Sequence, residues 1–360
     1  MEGSLLMTVT RERIRFGLVG TGVMAASTGR ILASYQNSTV TAVASRTLAG
    51  ADRLADELEV ISGESVARYD DYLAMFASGR CDAVAVMTPD DQHADATIAA
   101  AEAGLHILIE KPLATSVTDA DRMVTAVRKA GVRAMCLYTH RWIPTLAQAK
   151  KLMDNLGAPI CGYTRKHDTI DVPTNMLKWA ERTTCAWFLS GHDIDLVTWL
   201  FGSRIREVTA VARRGLLQSK GIDTPDAMII QARFDNDAIA TFESGWVYPT
   251  SFPTMIDSYL SVVAEGGTIH VDRQKEGILV ASQDSYAYPR NMIDYSVHGV
   301  ARGAYPAALE HFVECLRIGR EPLASIESAR DVTAVLEAAH LSEKTGLPTI
   351  VNYVSRSDPR

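Results

Sequence analysis

The stretch IRFGLVGTGVMA, Ile14 to Ala25, runs an apolar segment into the spacing GxGxxA. It reads as a strand, a tight turn and the start of a helix. Gly20 permits the turn, Gly22 lets a pyrophosphate approach the N–H groups at the helix start, and Ala25 lets the helix lie close on the sheet. Gly20, Thr21, Gly22, Val23 and Met24 are therefore the candidate nucleotide contacts of this turn. Six-residue glycine patterns also arise by chance, so the reading depends on what surrounds the turn.

Outward from it, strand-like and helix-like segments alternate: STVTAVAS and LAGADRLADELE, CDAVAVMTP and DQHADATIAAAEAG, HILIEKP and VTDADRMVTAVRKAG, then VRAMCLYTH. Apolar strands without polar alternation, each followed by a helix, predict a parallel sheet covered on both faces, with ligands at the carboxyl ends of its strands. An NAD site carries an acid at the end of the second strand, about twenty residues past the glycines. Here that place is taken by Ser45-Arg46-Thr47. Ser45 and Arg46 suit a 2′-phosphate, and the guanidinium can stack on adenine. The expected cofactor is NAD(P), with NADP slightly favoured over NAD.

After Tyr138 the alternation stops. THRWIPTLAQAKKLMDNLG reads as a helix following Pro144 with Gly157 as its stop. PICGYTRKHD, IREVTAVARRG, DAMIIQARF, DAIATFESGW, SYLSVVAE and TIHVD read as successive strands, and YPAALEHFVECLRIG and SIESARDVTAVLEAAHLSEKTG as closing amphipathic helices. The expected fold class is α/β. A Rossmann domain with a parallel sheet spans residues 12–137, and a C-terminal α/β domain with an open, mostly antiparallel sheet spans residues 138–350. An open sheet leaves one face for helices and another to be covered elsewhere, so a homodimer or homotetramer is expected.

The 360 residues are 47% hydrophobic, enough for two globular domains. A net charge of -7 argues against nucleic acid as a partner. Five cysteines without a CxxC spacing argue against zinc and suit a reducing compartment. No run approaches the ~18 apolar residues of a membrane span, and MEGSLLMTVTRERIRFG has its basic residues after a short apolar patch, unlike a signal peptide. A cytoplasmic protein with no membrane partner and no metal is expected. Residues 1–11 read as a disordered extension, with Met7 as an alternative start.

Two further stretches carry chemistry. GLHILIEKPLATS, Gly104 to Ser116, ends an apolar strand in Glu110, Lys111 and Pro112. WFLSGHDIDLVTWLFG, Trp187 to Gly202, reads as a helix capped by Gly202 with His192 near its start. His192 and Asp195 share a helix face, from which Asp193 points away.

With FGLVGTGVMA, TPDDQHADATIAAAEAGLHILIEKPLA and LEAAHLSEKTGLPTIV, these stretches resemble the Gfo/Idh/MocA family of nicotinamide-dependent oxidoreductases over nearly the whole chain. The resemblance implies a Rossmann domain, an open-sheet domain and a carboxy-terminal segment that returns toward the first domain. It implies sugars, polyols or their derivatives as substrates. It carries the family's lysine onto Lys111 and its histidine onto His192. Glu110 is implied to contact the nicotinamide side or hold the loop, Thr88, Pro89 and His93 match cofactor-side positions, and a cis bond before Pro112 is implied. Phe188 stands where many members carry an aspartate that positions or charge-balances the histidine, which leaves Asp195 or a substrate group to share that part. Tyr138, His140, Arg141, Lys166, His167 and Trp179 stand in segments that can line the substrate side.

The expected chemistry is hydride transfer between nicotinamide and a hydroxyl or keto carbon of a carbohydrate-like substrate. His192 is the natural acid/base, with an unperturbed pKa near ~6.5. Lys111 can hydrogen-bond the reacting oxygen and stabilise its developing charge. Two other readings stand beside this one: transient use of the cofactor for sugar elimination or bond cleavage, and non-catalytic sensing of a sugar or dinucleotide.

Overall fold

The computed structural model describes residues 13–290 and 292–353. The extension expected over residues 1–11 lies outside them. The first half builds β1 (Ile14–Val19), α1 (Val23–Ser34), β2 (Ser38–Ala44), α2 (Leu48–Ser62), β3 (Ala67–Tyr69), α3 (Tyr72–Ala77), β4 (Ala83–Val86), α4 (His93–Glu102), β5 (His106–Ile109), α5 (Val117–Ala130) and β6 (Ala134–Cys136). Its six strands are parallel, in the order β3-β2-β1-β4-β5-β6. The order reverses between β1 and β4, which opens a crevice at the carboxyl ends of those strands.

Right-handed crossovers put α1 and α2 on one face of this sheet and α3, α4 and α5 on the other. Ile31, Leu32, Leu54 and Leu58 pack with Phe16 and Leu18 on the first face, and Met75, Ala100 and Met123 with Val84 and Ile107 on the second. The first face therefore has no local helix over β4, β5 and β6.

The second half builds α6 (Pro144–Met153), β7 (Pro159–Thr169), α7 (Gly191–Phe201), β8 (Ile205–Arg213), β9 (Ala227–Phe234), β10 (Ile239–Tyr248), β11 (Ile256–Ala264), β12 (Gly267–Asp272), two short hairpins, β13 (Val280–Ala281) with β14 (Tyr286–Ala287) and β15 (Tyr295–Val297) with β16 (Val300–Arg302), then α8 (Ala304–Ile318), α9 (Ile326–Thr345) and β17 (Thr349–Ile350). The large sheet runs β12-β11-β7-β10-β9-β8-β17 and is antiparallel except where β7 meets β10. Along β9, Met228, Ile230, Ala232 and Phe234 are buried while the residues between them are not, the period of a sheet packed on one side. α7 covers this inner face, with Phe201 5.0 Å from Phe234.

The outer face mixes polar pairs with exposed Val211, Ile229, Ile239 and Val263. Tyr163 Oη donates to Glu243 Oε2 at 2.6 Å, Arg165 Nε donates to Asp257 Oδ2 at 2.8 Å, and His167 pairs with Glu243 at 2.8 Å. His167 thus belongs to this face and not to the substrate side.

α8 fills the bare quarter of the first sheet. Tyr305, Leu309, Phe312 and Val313 pack with Ala85, Leu108 and Met135, and the Phe312 ring lies 6.4 Å from Phe16. No helix among the described residues is long and apolar enough to cross a membrane.

Candidate active site

The nucleotide turn is built as its spacing requires. Gly20 has φ +109, and a Cβ there would meet Met87 O at 2.6 Å, so only glycine fits. Gly22 is the N-cap of α1 and offers no side-chain cap, and a Cβ there would have nothing within 4 Å. Val23 is 81% exposed. The first N–H groups of α1 thus face open space, a cradle that fits a dinucleotide pyrophosphate. Thr21 Oγ1 lies 3.2 Å from Ser45 Oγ and ties the turn to the end of β2, where Arg46 is exposed.

The end of β5 is anchored from three sides. Glu110 is buried; its Oε2 accepts the Lys111 N–H at 2.7 Å, and Tyr305 Oη, itself 2.7 Å from Thr28 Oγ1, reaches Oε1 at 3.4 Å. Burial pushes the Glu110 carboxyl above its usual range. The Lys111–Pro112 bond is cis. His93 differs from its expected cofactor contact. Its ring is fully buried, with Nδ1 2.8 Å from Pro112 O and Nε2 2.9 Å from Thr88 O, so it braces the loops after β4 and β5 against each other.

Lys111 crosses the crevice. Its Nζ donates to Phe188 O at 2.9 Å and sits 3.9 Å above the Phe188 ring. Phe188 belongs to a π-helical turn, Ala186–Ser190, that leads directly into α7 and His192. The His192 ring stacks on His140 at 4.5 Å and 14° and meets Tyr138 edge-on at 5.9 Å. Burial, and the positive charges of Lys166 and Lys111, push His192 well below its ordinary pKa. The imidazole is neutral at neutral pH.

Behind the stacked rings, Lys166 Nζ lies 3.1 Å from His140 Nε2 and 3.1 Å from Asp193 Oδ1, all three residues buried. Burial pulls Lys166 down to about 8, with Asp193 opposing it. Asp168, two residues along β7, is pushed up to about 7 by burial, and its Oδ1 has no hydrogen-bond partner among the described residues.

Asp193 corrects the expected helix phase. Successive residues turn by about 100°, so a site centred between positions 192 and 193 collects both and leaves 195 turned roughly 110° away from it. Asp195 instead accepts from Arg141 Nε at 2.9 Å and Nη2 at 2.5 Å, while Arg141 Nη1 donates to Leu323 O at 2.7 Å. Both residues, expected at the substrate, line a cavity of about 410 Å³ behind α7. Tyr138 is also fully buried and supports His192 from beneath instead of meeting a ligand.

Sequence reasoning missed Asp193, Asp168, Arg273 and Arg290. The two arginines flank the irregular segment after β12, where no periodicity marks a role. Among the described residues no group of three or more His, Cys, Asp or Glu could hold a metal ion.

Two family models match the chain. The Gfo/Idh/MocA oxidoreductase family's NAD-binding Rossmann fold covers residues 14–138, and its C-terminal alpha/beta domain covers residues 154–350. The chain is similar to scyllo-inositol 2-dehydrogenase (NAD(+)) of Bacillus subtilis, 28% identical over 278 residues that make up 74% of this chain and 77% of the relative. It is 26% identical to 2,7-anhydro-N-acetylneuraminate hydratase of Mediterraneibacter gnavus over 75% of this chain and 73% of the relative. In fold it resembles scyllo-inositol dehydrogenase from Lactobacillus casei with bound NAD(H) and scyllo-inositol, with a TM-score of 0.80 at 17% identity over 94% of this chain and 99% of that one. Matched along both halves, the chain belongs to the Gfo/Idh/MocA oxidoreductase family.

Proposed function

We propose that this protein is an NAD(P)-dependent dehydrogenase or reductase acting on a hydroxyl or keto carbon of a sugar, polyol or sugar derivative. The observation that carries this reading is the Lys111 ammonium in the crevice, 2.9 Å from the carbonyl of Phe188, the residue that stands four positions ahead of His192. Gly20 to Met24, Ser45, Arg46, Thr88 and Pro89 would hold the cofactor, with Arg46 favouring NADP. Bound there, the nicotinamide takes up or returns the hydride. Neutral His192 accepts the hydroxyl proton in oxidation and returns it in reduction. Lys111 keeps N–H donors beyond the one given to Phe188 and directs them at the oxygen where negative charge develops. Asp193, through Lys166 and His140, takes the charge-balancing part that an aspartate at position 188 would have had. Unpaired cysteines support a cytoplasmic location, and the outer face of the large sheet is the proposed contact of a homodimer or homotetramer, to be read by light scattering.

Replacing Lys111 by Ala should lower kcat by about a hundredfold or more, while dinucleotide affinity stays within about threefold of wild type. Stopped-flow turnover and cofactor titration on the same preparation test this; a fully active mutant refutes it. The hydratase relative favours a second reading, since hydration involves no net redox change. That reading requires sugar product to form with no net change in nicotinamide absorbance.

A further inference from the structure

Arg273 follows β12 and is 4% exposed, yet its Nε and Nη1 have no hydrogen-bond partner among the described residues. These atoms carry three of the five guanidinium N–H groups. Nη2 donates to Glu276 Oε1 at 2.9 Å, and Arg290 Nη2 lies 3.6 Å from the same oxygen. Glu276 Oε2 accepts the N–H of Met292 at 2.9 Å, so a single carboxylate faces two guanidinium groups and leaves the cluster with an excess of positive charge. A buried cation with most of its donors unmet is costly to fold.

Its position gives the reason. The Arg273 N–H donates to Ser258 O at 2.9 Å, and Ser258 lies opposite Lys166 in the β11–β7 register. Arg273 thus stands two strands beyond Lys166, on the inner side of the sheet, Arg290 Nη1 lies 3.5 Å from Ile256 O on β11, and the charges of both arginines act on Lys166 and His192. Asp168, opposite Ile256 on the same pair of strands, adds a buried acceptor without a partner.

We propose that Arg273 and Arg290 form an oxyanion subsite, so that the substrate is an acidic sugar or polyol whose carboxylate or phosphoryl group docks there while its reacting carbon faces Lys111 and His192. Asp168 then accepts a hydroxyl of the same molecule. This assignment rests on the hydride-transfer reading for the reacting carbon only; the anion contact stands without it.

The test is calorimetric titration of the NADP-loaded protein at fixed ionic strength. D-gluconate and D-glucuronate probe the carboxylate, D-glucose 6-phosphate the phosphoryl group, and D-glucitol and D-glucose serve as neutral counterparts. At least one anionic probe should bind about tenfold or more tightly than its neutral counterpart, and the arm that does so identifies the anion. Arg273→Gln should abolish that preference. Arg273→Lys keeps a charge against Glu276, so it serves if the glutamine variant fails to fold, and it should lose the preference as well. No anionic preference in the wild type, or one that survives in the folded variants, overturns the subsite. Nicotinamide absorbance separates the two claims. Reduction by neutral polyols with no anionic preference removes the subsite alone, whereas anion-selective binding without turnover removes the hydride-transfer reading alone.

Discussion

Lys166 is charged at neutral pH because Asp193 and the lone pair of His140 Nε2 offset part of what burial costs it. The sign of the pH dependence follows. Lys166 loses its proton as pH rises through about 8, so kcat/KM should fall on that alkaline limb. Asp193 raises the Lys166 pKa; in Asp193→Asn the limb should move to lower pH by about one unit. His192, held well below its ordinary pKa, should contribute no acid limb near ~6.5. A pH profile of both proteins checks the two statements together. At the other end of the crevice, Arg46→Ala should weaken NADP by about tenfold while leaving NAD within about twofold, measured by fluorescence titration; equal losses would remove the NADP preference. Lys111 and His192 were legible because each sits in a short motif. Asp193 was not, because a difference of one position on a helix is settled by how the helix is rotated against β7. Arg273 and Arg290 were illegible for another reason: nothing in VDRQKEG or YPRNMID says that two guanidinium groups will gather on one acid, one of them buried with most of its donors unmet.

At the scale of elements, the glycine turn separates two roles that one motif combines. Gly20→Ala places a methyl group 2.6 Å from Met87 O at a φ of +109, so it should cost about 2 kcal/mol or more of stability. Gly22→Ala meets no protein atom within 4 Å and should leave thermal stability nearly unchanged. Its methyl group would instead occupy the pyrophosphate's approach and weaken dinucleotide binding by about tenfold. Differential scanning calorimetry and cofactor titration on both variants resolve the pair. Strand and helix alternation was readable wherever segments spanned about two periods or more. The three-residue β3 and six-residue α3 fall below that length, and the short hairpins between Val280 and Arg302 are largely exposed and so carry no burial pattern. The parallel contact of β7 with β10 was also hidden, since turn residues report only on neighbours in the chain.

Across the whole molecule, the first sheet is not finished by its own half of the chain. Phe312 is fully buried against that sheet, and Phe312→Ala should cost about 3–5 kcal/mol in urea unfolding. Dinucleotide affinity should fall only in so far as the first domain loosens; unchanged stability would mean that α8 is a passive cover. An amphipathic pattern such as YPAALEHFVECLRIG shows that a helix has a face to bury but not which sheet receives it.

The return of α8 also has a consequence during synthesis. The ribosome releases β1 to β6 well before Tyr305, and roughly 170 residues of translation separate the two, about 8 to 34 seconds at ordinary elongation rates. Throughout that interval the nascent chain presents Leu108 and Met135 to whatever is near, and a chaperone that waits for this uncovered patch has a defined moment at which to let go.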